Sequence, residues 1–199
     1  MDTVRKLFVF PVLLLAAIFF VGCGVGDYRV FTVAGTSMNP TITEDIGTVT
    51  IRRTQAVERG DIVVYRQYNP WGENRNRRGR FDYQMKRVIA IGGDTVAFRL
   101  SEYYTDFILM PRDDVFLNGK LLDESDFLYY DGKQNNNASI AYSYKQAGFE
   151  FIEGKFALTI PQGYFFSMGD NRRHSRDGRD YGAIPLANLV GVWVRRHNA

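Results

Sequence analysis

Gln84-Met85-Lys86-Arg87-Val88-Ile89-Ala90-Ile91, closed by Gly92-Gly93-Asp94, is the stretch on which the fold turns. It runs apolar over the length of one strand and stops at a glycine pair, the usual punctuation of a turn. Working outward, the same texture recurs. Before it stand Asp61 to Tyr65 (DIVVY) behind Gly60, Thr48 to Arg52 (TVTIR), and Tyr28 to Val33 (YRVFTV), which leads into the Gly/Ser/Asn/Pro turn Gly35 to Thr41. After it come Phe156 to Ile160, Tyr164 to Met168 and Leu189 to Arg195, the last too short and too charged to cross a membrane. Twelve Tyr, fifteen Phe and nineteen Gly suit strands joined by turns, so the body reads as mostly β. No internal repeat or low-complexity tract interrupts it.

At 199 residues and 45% hydrophobic side chains, the chain can bury a core as one domain or a small two-lobed one. Lys+Arg 25 against Asp+Glu 22 leaves a small positive excess, too modest for a nucleic-acid-binding stripe. A single cysteine, Cys23, excludes an internal disulfide and a cysteine-based metal site. The two histidines, His174 and His197, leave little room for a His-dependent triad; a serine enzyme here needs another base. Neither a cofactor nor a metal is indicated.

From Leu7 to Val25 all nineteen residues are apolar or small, after Arg5 and Lys6. At about 1.5 Å per residue a helix of this length reaches roughly 28 Å, near the hydrocarbon thickness of a bilayer. The basic residues before it and Asp27 after it predict a cytoplasmic amino terminus and a body on the far side. Gly22-Cys23-Gly24 also has the character of a secretory cleavage site, and Val21-Gly22-Cys23 loosely that of a lipoprotein box. All three readings export the body.

Between Tyr68 and Asp82 lies a Gly/Asn/Arg-rich stretch with Arg75, Arg77, Arg78 and Arg80, read as a solvated loop or hairpin tip, or as a contact for anionic lipid headgroups. From about Arg99 to Lys155 the text turns dense in Tyr, Asn, Asp and Lys, with Asn118-Gly119 marking a tight hairpin turn; it reads as an insertion. The expected division is 1–26 for the cytoplasmic tip and membrane helix, 27–98 for the first part of a catalytic core, 99–155 for an inserted β-rich subdomain, and 156–199 for the second part of the core.

A serine hydroxyl needs a base to become a nucleophile, and a lysine held neutral is the usual candidate besides histidine. Ser37 sits on a tight turn. Lys86 sits inside an apolar strand; turned inward, its ammonium would be disfavoured by desolvation. On residue chemistry alone a plain turn serine and an outward, hydrated lysine fit the same text.

Four blocks, in order, resemble the type I signal peptidases. Ser37-Met38-Asn39-Pro40-Thr41 is similar to the family's nucleophile box, and Gly60-Asp61-Ile62-Val63-Val64 to the strand box after it. Lys86-Arg87-Val88-Ile89 with Gly93-Asp94 resembles the lysine box, forty-nine positions after the serine. Met168-Gly169-Asp170-Asn171-Arg172 with Ser175, Asp177, Arg179 and Gly182 resembles the final box. The resemblance covers essentially the whole chain. It implies a β-fold catalytic core of the signal-peptidase and LexA kind with an inserted β-rich subdomain, preceded by one transmembrane helix.

Carried over residue by residue, the resemblance implies that Ser37 is the nucleophile, Lys86 the general base and then acid, and Ser175 the hydroxyl that orients the lysine. Arg87, Asp170, Asp177 and Arg179 match a charged network behind the site, read foremost as a structural ion-pair cluster with no chemical role. His174 is read as a neighbour and not a base. Where some members carry a serine two positions before the nucleophile, this chain has Gly35, so the oxyanion hole is expected to rest on backbone amides, chiefly that of Ser37. Gly92 replaces a common proline, and Gly178 a frequent serine. Phe31, Val33, Met38, Ile42 and Met85 match positions lining two shallow apolar pockets for small residues on either side of x in Ala-x-Ala; each also suits a core. Substrate is expected to add as a strand beside Phe31 to Val33 or near Gln84 to Met85.

The implied function is removal of signal peptides from exported preproteins by a membrane-bound enzyme of the bacterial plasma membrane. Its partners would be preproteins and the lipid bilayer, without nucleic acid; the oligomeric state is left open. A dedicated peptidase for one substrate, such as a conjugative pilin, is the alternative of similar chemistry, and an inactive exported binding module the alternative of another class. A LexA-type repressor is disfavoured by the membrane-led amino terminus and the lack of a helix-turn-helix.

Overall fold

The computed structural model describes residues 27–69, 80–104, 109–125 and 144–194. The apolar segment 7–25, the centre of the arginine-rich stretch and the middle of the expected insertion lie outside the described residues. Among the described residues, no helix is long and apolar enough to cross a membrane.

Among the described residues, twelve strands form two antiparallel sheets: β1 (Tyr28–Thr32), β2 (Thr48–Arg52), β3 (Ile62–Asn69), β4 (Arg80–Ile91), β5 (Thr95–Tyr104), β6 (Leu109–Leu117), β7 (Lys120–Leu121), β8 (Glu150–Ile152), β9 (Lys155–Thr159), β10 (Tyr164–Met168), β11 (Ile184–Pro185) and β12 (Leu189–Trp193). The first sheet has the order β1-β2-β12-β3-β4-β10-β11, the second β7-β6-β5-β9-β8. Among the described residues of the second half helical structure is slight: residues 144–146, a four-residue helix α1 (Gly178–Tyr181) and short 3-10 turns.

The stretch 84–91 lies inside the longest strand, β4, which pairs with β3 on one side and β10 on the other. It needs apolar residues on both faces because both are covered: Val88, Ile89 and Ala90 are all buried. At Gly92-Gly93 the chain turns from the first sheet into the second. Asp94 fixes this corner, its carboxylate accepting from the Ile91 amide at 2.9 Å, from Asn118 Nδ2 at 2.9 Å and from the Arg59 guanidinium. Burial alone would raise its pKa; these donors outweigh it and hold the group at about 2.

Three apolar clusters follow. One joins the two sheets through Phe98 and Phe156 of the second and Ile89 and Phe166 of the first. A second, of Met38, Ile42, Val49, Ile51, Ile62 and Val64, underlies the turn after β1. The third packs Val63, Tyr65 and Val88 against Phe165, Ile184 and Leu189.

The stretch 68–82, read as a solvated loop or hairpin tip, lies on the β3–β4 hairpin and is strand at both ends: Tyr68 pairs with Phe81 and Asn69 with Arg80. Tyr68, Phe81 and Tyr83 are exposed, so this hairpin has outrun the core and shows no buried face whose periodicity could reveal it. Asn118-Gly119 makes the tight turn that its sequence predicts, with φ of 52° and 79° between β6 and β7.

Candidate active site

Ser37 stands on the turn that follows β1. The turn is closed by backbone bonds from Asn39 N–H to Thr36 O (3.1 Å) and Ile42 N–H to Met38 O (2.9 Å), and it is pinned to the core by buried Met38 and Ile42. Gly35 adopts φ 85°, a left-handed conformation that side-chain-bearing residues seldom hold. Its N–H donates to Glu44 Oε1 at 2.6 Å and is therefore committed away from any oxyanion. The Ser37 amide makes no hydrogen bond among the described residues.

Lys86 projects from β4 and is 3% exposed. Its Nζ lies 2.9 Å from Ser37 Oγ, 2.9 Å from the Met85 carbonyl oxygen and 3.4 Å from Gln84 Oε1. Burial pushes the amine down to about 8, while Asp177 raises it, Arg179 lowers it and Asp170 raises it. The charges behind the lysine come as opposed pairs, so desolvation dominates. A neutral amine in this position can accept the serine proton while donating to the Met85 carbonyl.

Arg87, Asp170, Asp177 and Arg179 are brought together as two ion pairs. Arg87 grips Asp170 through Nε (2.8 Å) and Nη2 (2.7 Å), and Asp170 Oδ2 also accepts at 2.5 Å from Oγ1 of Thr41, the last residue of the nucleophile turn. Asp177 is fully buried; burial would raise its pKa, but Arg179 and the Gly169 N–H (2.9 Å) bring it below its ordinary value. Two further bonds clasp the nucleophile turn to the final box: Asn171 N–H to Ser37 O (3.0 Å) and Asn171 Nδ2 to Thr36 O (3.2 Å).

Ser175 lies beside this clasp, yet Lys86 Nζ makes no hydrogen bond to it. Its hydroxyl is buried, near enough to the Asp177 carboxylate to favour the ionised form, but has no partner of good hydrogen-bond geometry. Gly169 makes room for it: a Cβ there would stand 2.3 Å from Ser175 Oγ and 2.5 Å from Ser37 O.

A cleft of about 200 Å³ opens over Ser37 and Lys86, and Phe31, Val33, Met38, Ile42 and Met85 all line it. Val64 and Tyr83 line it too and escaped the sequence reading. Gln84, read there as part of an edge for the substrate, also lines it, on the face that the two-residue period of a strand shares with Lys86. The roles of Glu44, Thr41, Gly169 and Asn171 depend on contacts distant in sequence, which no local pattern announces. Among the described residues, no group of three or more His, Cys, Asp or Glu is placed to hold a metal ion.

The family model described as "Signal peptidase, peptidase S26" matches residues 4–197. The chain is 30% identical over 173 residues to signal peptidase IB of Staphylococcus aureus, spanning 84% of this chain and 77% of that protein. It is 26% identical over 227 residues to signal peptidase I of Aquifex aeolicus, spanning 94% and 81%. Among solved structures, it is similar to a signal peptidase I from Enterococcus faecalis at 25% identity and a TM-score of 0.36, covering 69% of this chain and 96% of the other.

Proposed function

The chain belongs to the bacterial type I signal peptidases, peptidase family S26, and from that premise we propose that it is a membrane-bound serine endopeptidase working through a Ser37–Lys86 dyad. One observation carries the reading: a lysine buried to 3% exposure with its amine 2.9 Å from a serine hydroxyl at the floor of a cleft. Neutral Lys86 takes the Ser37 proton as Oγ attacks the scissile carbonyl. The oxyanion is met by the Ser37 N–H, and protonated Lys86 passes its proton to the departing amine. Water, activated by the amine now free again, then hydrolyses the acyl-enzyme. Ser175 is assigned to holding the lysine amine once it carries the proton.

The substrates are preproteins bearing signal peptides. An extended segment adds beside β1 or the Gln84–Met85 edge by backbone bonds, and the shallow apolar cleft admits small side chains, which suits Ala-x-Ala sites. Residues 7–25 are assigned to a single membrane span with the amino terminus in the cytoplasm, and residues 99–155 to an insertion between the two parts, 27–98 and 156–199, of the catalytic core.

The test is cleavage of a preprotein with an Ala-x-Ala site by the detergent-solubilised protein beside Ser37→Ala and Lys86→Ala. Both variants should lose cleavage while keeping the native fold by circular dichroism. Full activity in either sinks the dyad.

A further inference from the structure

A second concavity, about 530 Å³, opens on the same sheet face as the catalytic cleft and shares Tyr83 with it. Three arginines line it, and each repeats one placement. Arg29 stands two residues before Phe31 of the cleft, Arg66 two residues after Val64 of the cleft, and Arg53 two residues after Ile51 of the core beneath. The two-residue period of β1 and β3 brings Arg29 and Arg66 to one face, and Arg53, one residue past the end of β2 and bonded through its N–H to the Asp27 carbonyl, joins them at the same end. Arg29, Arg53 and Arg66 are exposed and form no ion pair among the described residues; Arg66 only overlies the Phe81 ring, at 5.8 Å. The one carboxylate in the recess is that of Asp27, so it carries a net charge of about +2.

The location is as informative as the charge. Asp27 is anchored to the recess, its carbonyl accepting from the Arg53 N–H at 2.5 Å. The apolar run 7–25 ends two positions upstream, at most about 7 Å of extended chain away. We propose that this recess is a binding site for the phosphate of an anionic glycerophospholipid headgroup. Three guanidinium forks offer more donors than one carboxylate can accept but suit the oxygens of a phosphodiester, which guanidinium groups bind in pairs. A lipid held there would orient the catalytic face against the bilayer, with the cleft adjoining the headgroup across Tyr83. The inference rests on the membrane topology proposed above.

The test uses the full chain in neutral detergent, with equal amounts of phosphatidylglycerol and phosphatidylcholine added, and counts bound lipids by native mass spectrometry. Phosphatidylglycerol adducts should exceed phosphatidylcholine adducts by roughly tenfold. The triple variant Arg29→Gln, Arg53→Gln, Arg66→Gln should lose the preference, and the corresponding triple Lys variant, which keeps charge but not the fork, should retain only part of it. An excess of inorganic phosphate should reduce the phosphatidylglycerol signal without abolishing it. An unchanged preference in the Gln variant overturns the site. Complete displacement by inorganic phosphate overturns the lipid as its ligand in favour of a free anion. No lipid preference in the wild type, with a raised KM of the Gln variant for preproteins carrying acidic residues near the cleavage site, overturns it in favour of a substrate carboxylate. Ser37→Ala should keep the lipid preference, so failure of the dyad and failure of the headgroup site are read separately; carbonate extraction of the full chain tests the span itself.

Discussion

Lys86 is a charge-bearing side chain placed where a charge is costly, and both its chemistry and its effect on stability follow from that. With the amine pushed down to about 8 by burial, kcat/KM should rise with pH through an apparent pKa near 8, since the base acts deprotonated; a profile flat from about pH 6 to 10 would count against it. The folded pKa lies below the ordinary 10.5, so between the two values the unfolded chain holds a proton that the folded one lacks, and stability rises with pH across that window. Below it, both states are protonated and the fold carries the full cost of the buried ammonium. Lys86→Met should therefore stabilise the protein by about 3 kcal/mol near pH 7, with the gain fading toward about pH 10.5, as urea titrations at several pH values would show. Gly169 is the opposite kind of residue, one whose role is to be absent. Since a Cβ there would meet Ser175 Oγ at 2.3 Å and Ser37 O at 2.5 Å, Gly169→Ala should displace the nucleophile turn and lower kcat at least about a hundredfold, by analogy with the cost of small misplacements at a reacting centre. Near-normal turnover in that variant would show that the turn has slack.

Several strands with a covered face were legible, though β5, with Val96 and Phe98 buried, was not singled out. Thr48 to Arg52 and Tyr164 to Met168 were read from the sequence with the bounds they have in the fold. The β3–β4 hairpin was legible only as one of two readings, a solvated loop or a hairpin tip, because the exposed aromatics Tyr68, Phe81 and Tyr83 break no rule of a polar loop. Also hidden was the pairing of Glu124, just after β7, with Arg172 in the 3-10 turn after β10. In a stretch rich in Tyr, Asn and Asp, a glutamate reads as solvated, yet both side chains are buried and Arg172 Nη1 donates to Glu124 Oε2 at 2.9 Å, while its Nε bonds the Gly169 carbonyl at 3.0 Å. The pair ties the second sheet to the box that clasps Ser37. Glu124→Ala leaves a buried guanidinium unpaired and should cost about 3 kcal/mol of stability in chemical denaturation. Glu124→Leu combined with Arg172→Met should recover most of the loss, because two desolvated charges are then removed together. If the double variant were no better than the single one, hydrogen bonding by Arg172 to Gly169, and not charge burial, would be what matters.

Across the whole molecule, the site was legible as a set of residue types but not as a place. Nothing local to Ser37 or Lys86 says that they meet; the 2.9 Å contact arises because β1 and β4 lie apart in the first sheet and the turn after β1 folds over the apolar cluster between them. The ordered boxes supplied by resemblance named the pair, and the register of β3 on β4, with Val63 opposite Lys86, helps set where the lysine stands. The junction of the two sheets bears on the same site. Phe166 of β10 meets Phe98 and Phe149 at centroid distances of 6.0 and 5.8 Å, and its ring lies so close under Gly178 that a Cβ there would stand 2.5 Å away. Helix α1 therefore rests on a side chain of the inter-sheet core, and its first residues follow Asp177 and include Arg179, whose charges act on Lys86. Phe166→Ala should cost about 4 kcal/mol through the cavity it leaves. It should also let α1 settle, so that kcat falls more than KM rises and the apparent pKa of the rate profile moves, measured well below the variant's melting temperature. A loss of stability alone, with kcat and the profile unchanged, would mean that the ion pairs behind Lys86 are held by the final box itself and that the second sheet is coupled to catalysis only through overall folding.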